Sequence, residues 1–173
     1  ARSPHYTGYC RDKKRRAEGN AVRFRNDHPC LQFNDRILGQ VQLEPEFAAE
    51  DFVLFRRDQL YTYQLAVVVD DIAQGITDIV RGADLVTPTS WQLALWAELA
   101  PYQPRFAHVP LALDQFGNKL SKQNHAPALR ADQVHQQLHD AFRFLGLSVS
   151  TKTTDIEQLL AAATAVWHAK CLS

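Results

Sequence analysis

The order of patterned segments in the middle of the chain constrains its fold more than any other feature. Ile76-Thr77-Asp78-Ile79-Val80 is a short apolar run that ends at Arg81-Gly82-Ala83-Asp84. Thr87-Pro88 then reads as a helix start, a capping hydroxyl followed by Pro at the first helical position. The helix over 89–100 carries Leu93, Trp96 and Leu99 on one side. Phe106-Ala107-His108-Val109 and Leu111-Ala112-Leu113 are short strands, followed by a polar loop from Asp114. Strand, helix, strand in this order predicts part of a parallel α/β sheet.

The flanks have a different character. Residues 1–20 read as loop. Ala21-Val22-Arg23-Phe24-Arg25 and Ile37-Leu38-Gly39-Gln40-Val41-Gln42-Leu43 alternate at period two, and Phe52-Val53-Leu54-Phe55 precedes an Arg56-Arg57-Asp58 turn. The first third therefore reads as a small, mostly β unit. Periodicity leaves residues 63–71 open between a buried strand and a helix. The end is helical: Val134, Leu138, Ala141, Phe142 and Leu145 form one stripe, closed by Gly146. Ile156, Leu159, Leu160, Ala163 and Trp167 form another, with Thr154 as its cap.

Composition excludes some classes of function. A chain of 173 residues, 46% hydrophobic and 22% charged, can bury one substantial core and a small satellite, and is not a disordered segment. No apolar run approaches the roughly 18 residues of a membrane span. Cys10, Cys30 and Cys171 are too few for a disulfide framework, so a reducing, cytoplasmic setting is expected. The chain starts at Ala1 and contains no Met, which leads us to expect a processed protein or a piece of a longer one. Nineteen basic side chains balance nineteen acidic ones, but unevenly. Residues 1–36 hold nine Lys/Arg against four Asp/Glu, residues 37–118 four against eleven, and residues 119–173 six against four. That distribution disfavours a simple nucleic-acid coat but allows a protein that meets phosphates at its ends.

Three groups of residues could carry chemistry. In Gly117-Asn118-Lys119-Leu120-Ser121-Lys122-Gln123, two lysines bracket Leu-Ser in a loop after a predicted strand. Mobile ammonium groups and a hydroxyl suit a phosphate whose charge moves during reaction, as when pyrophosphate leaves a nucleotide; a solvated basic loop is the other reading. Tyr63 and Arg81 form the second group. Arg81 stands beside Gly82 at the end of an apolar strand, where open α/β sheets bind ligands, and its planar fork suits a carboxylate. The other reading pairs Arg81 with Asp70, Asp71 or Asp84 and puts Tyr63 in the core. Tyr6 and Cys10 form the third, as half of a Zn²⁺ ligand set that needs four donors; Cys30 has no suitably spaced partner. His135 and His139 stand at i, i+4 but read as surface.

Three strings taken together carry a resemblance: Tyr61-Thr62-Tyr63-Gln64-Leu65-Ala66-Val67-Val68-Val69-Asp70-Asp71, Gly75-Ile76-Thr77-Asp78-Ile79-Val80-Arg81-Gly82-Ala83-Asp84-Leu85, and Lys119-Leu120-Ser121-Lys122-Gln123-Asn124-His125-Ala126-Pro127-Ala128-Leu129. In that order and spacing the chain resembles the glutamyl branch of the class I aminoacyl-tRNA synthetases. Within it, the likeness is to the truncated paralogues, the glutamyl-queuosine tRNA(Asp) synthetases. The resemblance implies the second half of a nucleotide-binding, Rossmann-like fold with a small β-containing insertion and a C-terminal helical pair. The implied division is a zinc-region and acceptor-stem-like insertion over 1–59, the half-fold over 60–118, and the lysine loop with its helices over 119–173.

The resemblance also implies a reaction. The family activates L-glutamate with ATP, releases pyrophosphate, and passes the glutamyl group to queuosine in the anticodon of tRNA(Asp). Tyr63 and Arg81 match glutamate-binding positions, Lys122 and Ser121 the ATP-contacting ones with Lys119 as companion, and Tyr6 and Cys10 two of four zinc ligands. Val67 stands where glutamyl-tRNA synthetases usually carry Asn. The chain shows no H-I-G-H-like string and no C-x-C pair before Tyr6. It is therefore expected to be a C-terminal portion, inert by itself, without tightly bound zinc, and monomeric when intact. The alternatives are a truncated discriminating glutamyl-tRNA synthetase and a non-catalytic RNA-binding module.

Overall fold

The computed structural model describes residues 6, 8–13, 15–121, 123, 125–151 and 153–171. They divide into two compact units, Ala1–His108 and Val109–Ser173. In chain order the elements are β1 (Val22–Arg23), β2 (Gln32–Asp35), β3 (Gly39–Gln42), α1 (Pro45–Ala48), β4 (Val53–Phe55), α2 (Tyr63–Ala73), β5 (Asp78–Gly82), α3 (Thr89–Leu99), β6 (Arg105–Val109), α4 (Val134–Phe144) and α5 (Ile156–Cys171). Single 3₁₀ turns, Ala83–Leu85 and Ala131–Gln133, precede α3 and α4. Among the described residues no helix is long and apolar enough to cross a membrane.

The first unit has the α/β character expected from the strand–helix–strand order. Its four-stranded sheet runs β3-β2-β6-β5 and is mixed: β2 and β3 form an antiparallel hairpin, while β2 lies parallel to β6 with Asp35 opposite Phe106. A separate antiparallel pair joins β1 to β4. Residues 63–71 fall in α2, which settles the ambiguity in favour of a helix. Its Thr62 hydroxyl donates to the Val53 carbonyl (2.8 Å) rather than capping the helix, and so ties α2 to β4. The core joins Phe52, just before β4, with Val68 of α2 and Leu95 and Trp96 of α3. Beside it Trp91 stacks between Phe47 (4.2 Å) and Phe52 (5.1 Å). Truncating a side chain as large and buried as Trp96 would cost about 3–5 kcal/mol.

Several local expectations are corrected. Ile37 and Leu38 lie in the hairpin turn rather than in a strand, because the Asp35 carboxylate accepts both their amides (2.9 and 3.0 Å). Gly39, at φ +73°, then lets the chain resume as β3. Helix α3 begins at Thr89, with Pro88 at the N-cap and no side-chain cap. It is buried from Thr89 through Ala94 to Trp96 on several sides, Trp91 excepted, so no single stripe faces the core and Leu99 is 49% exposed. Residues 111–113 form no strand; Leu113 makes one isolated bridge to Lys119.

The second unit packs Phe142 and Leu147 against Leu159 and Ala163. Gly146, at φ +67°, closes α4: its amide reaches Arg143 O and the Leu147 amide reaches Phe142 O, the 6→1 bond of a Schellman turn. Lys170 of α5 donates to the Leu145 and Gly146 carbonyls, and a Cβ at Gly146 would come within 2.7 Å of its Nζ. Asp155, not Thr154, caps α5 by accepting the Glu157 and Gln158 amides, since its carboxylate lies immediately before the helix. Ile156 and Leu160 turn to solvent, while Leu159 and Ala163 carry the buried stripe.

Candidate functional site

Arg81 occupies the centre of a buried polar cluster. On β6 the period of two puts Phe106 and His108 on one face, and the Arg81 guanidinium lies over the Phe106 ring at 4.9 Å. Its Nε donates to His108 Nε2 (3.0 Å), Nη1 to Gln92 Oε1 (2.6 Å), and Nη2 to Thr89 Oγ1 (2.7 Å) and the Leu85 carbonyl (3.4 Å). Thr89 and Gln92 stand at i, i+3 on α3, so one turn of one helix supplies two acceptors. Gln92 in turn donates to Gln64 Oε1 on α2 (2.6 Å). Every hydrogen-bond partner of the guanidinium among the described residues is neutral. Burial holds its pKa below the ordinary value, opposed by the charges of Tyr63, Asp71, Asp35 and Asp84.

His108 is fully buried and its tautomer follows from its neighbours. Arg81 Nε can only donate, so His108 Nε2 accepts, and Nδ1–H donates to Asp35 Oδ2 at 2.6 Å. Burial pushes the imidazole pKa below 6.5 against the pull of Asp35, which keeps the ring neutral at neutral pH. Burial alone would raise the Asp35 carboxyl, but the Leu38 amide, the His108 ring and the Ile37 amide outweigh it and hold Asp35 ionised. The result is a relay from turn amides through Asp35 and His108 to Arg81, which fixes the guanidinium without neutralising it.

Tyr63 and Arg81 both lie in the first unit, on α2 and β5. Tyr63, the first residue of α2, is 54% exposed rather than in the core, and acts electrostatically on Arg81. The structural ion-pair alternative is not what is seen: Asp71 and Asp84 influence Arg81 through space and neither is among its hydrogen-bond partners. Asp71 is itself raised by burial. Val67 packs against the apolar core of the first unit.

The lysine loop belongs to the second unit. Asp114 organises its approach: one carboxylate oxygen accepts the Phe116 and Asn118 amides (both 2.8 Å), and Gly117 turns at φ +82°. The Leu120 amide donates to Ala112 O, and the Ala126 amide to the carbonyl of half-buried Ser121. Lys119 is exposed and bridges to Leu113. Lys122 lies outside the described residues.

Tyr6 and Cys10 do come together. The Cys10 amide donates to Tyr6 Oη at 2.7 Å, and Arg23 covers the Tyr6 ring at 4.0 Å. Two donors do not make a four-coordinate zinc centre, and no group of three or more His, Cys, Asp or Glu is placed to hold a metal among the described residues. The residues present do not by themselves fit zinc, and no chemistry is assigned to it.

Residues 5–160 match the family described as tRNA synthetases class I (E and Q), catalytic domain. The chain belongs to that family. It is 48% identical over 172 residues to the glutamyl-Q tRNA(Asp) synthetase of Idiomarina loihiensis, a match covering 98% of this chain and 61% of that protein. It is 47% identical over 165 residues to the protein of the same name from Salmonella choleraesuis, covering 94% and 55%. The chain thus spans between 55% and 61% of the length of these relatives. Among solved structures it resembles a glutamate tRNA ligase from Elizabethkingia meningosepticum in complex with its amino acid, at a TM-score of 0.51 and 30% identity. That match covers 60% of this chain and 21% of the other.

Within this synthetase catalytic fold, sequence reasoning singled out Arg81 but missed what holds it. His108 and Asp35 are 73 positions apart, and no local spacing joins them. The one available signal was a lone His between Ala107 and Val109 in an otherwise apolar strand. Thr89, Gln92 and Gln64 carried no signal beyond being polar residues in helices.

Proposed function

We propose that the protein to which this chain belongs activates L-glutamate with ATP and transfers the glutamyl group to queuosine in the anticodon of tRNA(Asp). The observation that carries this reading is Arg81, a fixed, half-buried cation whose hydrogen-bond partners among the described residues are all neutral, and whose fork suits a carboxylate. Tyr63, exposed at the start of α2, orients the amino acid. A glutamate carboxylate oxygen attacks the α-phosphate of ATP, forming the acyl-adenylate and expelling pyrophosphate. No protein nucleophile is needed, so positioning and electrostatics supply the rate. Lys122, with Lys119 and Ser121, meets the charge that develops on the departing phosphates. The relatives at 46–48% identity, all carrying the glutamyl-Q name, support this acceptor over tRNA(Glu). The reading carries with it a cytoplasmic setting, a monomer, and no catalysis by this 173-residue stretch alone.

The test is glutamate-dependent ATP–pyrophosphate exchange by an intact relative-length protein. Arg81→Gln should raise the KM for glutamate about 100-fold, the scale of a lost charge-assisted contact, while Lys122→Ala should depress the rate of adenylate formation far more than glutamate affinity. Glutamylation of tRNA(Glu) in preference to queuosine-containing tRNA(Asp) would instead make it a discriminating glutamyl-tRNA synthetase. Full exchange activity by the 173-residue chain would refute its inertness.

A further inference from the structure

The side-chain amides of Gln92 and Gln64 form a chain whose direction is set from one end. Arg81 Nη1 can only donate, so the Gln92 atom it meets at 2.6 Å is Oε1. That leaves Nε2 at the other corner of the Gln92 amide, where it donates to Gln64 Oε1 at 2.6 Å. Gln64 is thus held by its oxygen, and its Nε2 is the free end of the chain. An isolated carboxamide can turn over and exchange donor for acceptor. These two cannot, because a flip of either would set N–H against N–H.

Gln92 is 1% exposed, so the direction passes through the buried side of α3. Gln64, the second residue of α2, is half-buried, and its Nε2 meets no acceptor among the described residues. At the other end, Gln92 takes one of the two N–H groups of Arg81 Nη1, and no described residue accepts from the second. Both ends of the chain therefore offer donors alone. A carboxylate, which only accepts, matches such ends. A carboxamide brings an NH₂ of its own, and must set it against a donor or lose the contact.

We propose that Gln64 is a specificity-determining residue of the glutamate site, with Gln92 as the positioning residue that fixes its polarity. The pair admits the side-chain carboxylate of glutamate and disfavours the carboxamide of glutamine. This assignment rests on the glutamate reading; the direction of the amide chain rests on Arg81.

The test is amino-acid-dependent ATP–pyrophosphate exchange by an intact, relative-length protein, read as the ratio of kcat/KM for glutamate to that for glutamine. Gln64→Glu keeps an oxygen toward Gln92 Nε2 but turns the outward donor into an acceptor, and should lower the ratio about 100-fold. Gln64→Met has neither group, and should raise the glutamate KM about tenfold with kcat little changed. Gln92→Met leaves Gln64 in place but free to turn over, and should lower the ratio about tenfold. Urea midpoints of the two Gln64 variants should match the parent, because the residue is only half-buried. A ratio unmoved in Gln64→Glu, or KM values for the two amino acids that rise together in both Gln64 variants, would overturn the proposal. A parent protein with no glutamate-dependent exchange would defeat the glutamate reading and this inference with it. Exchange in the parent with an unmoved ratio in the variants defeats the role of Gln64 alone.

Discussion

Two regions of the first unit handle arginine in opposite ways. Around Arg81 a single guanidinium is surrounded by neutral acceptors and locked in one orientation. Along the groove of about 700 Å³ that the N-terminal run lines with β1 and the 56–57 turn, charge is plentiful: Arg11 and Arg23 are tied to Asp51, Arg25 and Arg56 pair with Asp27 and Asp58, and Arg15, Arg16 and Arg57 are exposed with no such partner among the described residues. The difference separates one guanidinium held in a single pose, where pre-organisation matters, from charge spread along a surface, where the number of charges matters. It also shows that a count of basic residues says little until each is sorted by what already holds it.

The comparison breaks first at Asp35. Asp35→Ala removes the acceptor for His108 and for two turn amides, and should destabilise the chain by about 3 kcal/mol in urea unfolding; a loss under about 1 kcal/mol would mean that the relay does not hold the cluster. Next comes the sorting of the groove arginines. Arg11→Ala strands the buried Asp51 carboxylate, which Arg11 and the Asn26 amide hold well below the ordinary carboxylate range, and should cost about 2 kcal/mol. Arg57→Ala should stay within about 0.5 kcal/mol, and similar costs for the two would erase the distinction.

A finer test uses isosteres of His108. Gln places an oxygen near Nε2 and keeps an acceptor for Arg81; Asn places a nitrogen near Nδ1 and keeps only the donor to Asp35. In an intact protein with glutamate-dependent exchange, His108→Asn should raise the glutamate KM about tenfold over His108→Gln, roughly 1.4 kcal/mol, with kcat little changed. Equal KM values would reduce His108 to a packing residue.

The smallest effect is on pH. His108 has a folded pKa below 6.5, so the unfolded chain takes up the proton first and stability falls as pH drops through 6.5 toward the folded value. Asp35 works lower: its contribution is present above 3.8 and is lost as pH falls through its depressed folded pKa. The slope due to His108 is at most about 1.4 kcal/mol per pH unit. It should vanish between pH 5 and 6.5 in His108→Gln, measured by denaturant midpoints.

Much of the fold was legible because its signals are local. The strand–helix–strand order, the Gly146 stop and the α4 stripe depend on residues within one or two turns of each other. Ile37 and Leu38 misled because apolar alternation outlines a strand, yet the Asp35 carboxylate two positions earlier bends the chain. Leu99 misled because a helix buried on several sides has no single apolar face. The site divides in the same way. Arg81 stood out by its place beside Gly82 at a strand end, and the lysine string by its composition. The relay behind Arg81 was hidden because it is assembled by the parallel pairing of β2 with β6, which brings residues 73 positions apart into contact.

That pairing has a consequence for how the first unit tolerates change. The tip of the β2–β3 hairpin is solvent-facing, with Leu38 48% exposed, and would ordinarily accept insertions. Here the amides of that tip share a carboxylate with the imidazole that orients Arg81. Lengthening the loop between Asp35 and Gly39 by even one residue would swing the aspartate away from the strand beside it, and a surface edit would be felt as a misaimed guanidinium in the interior.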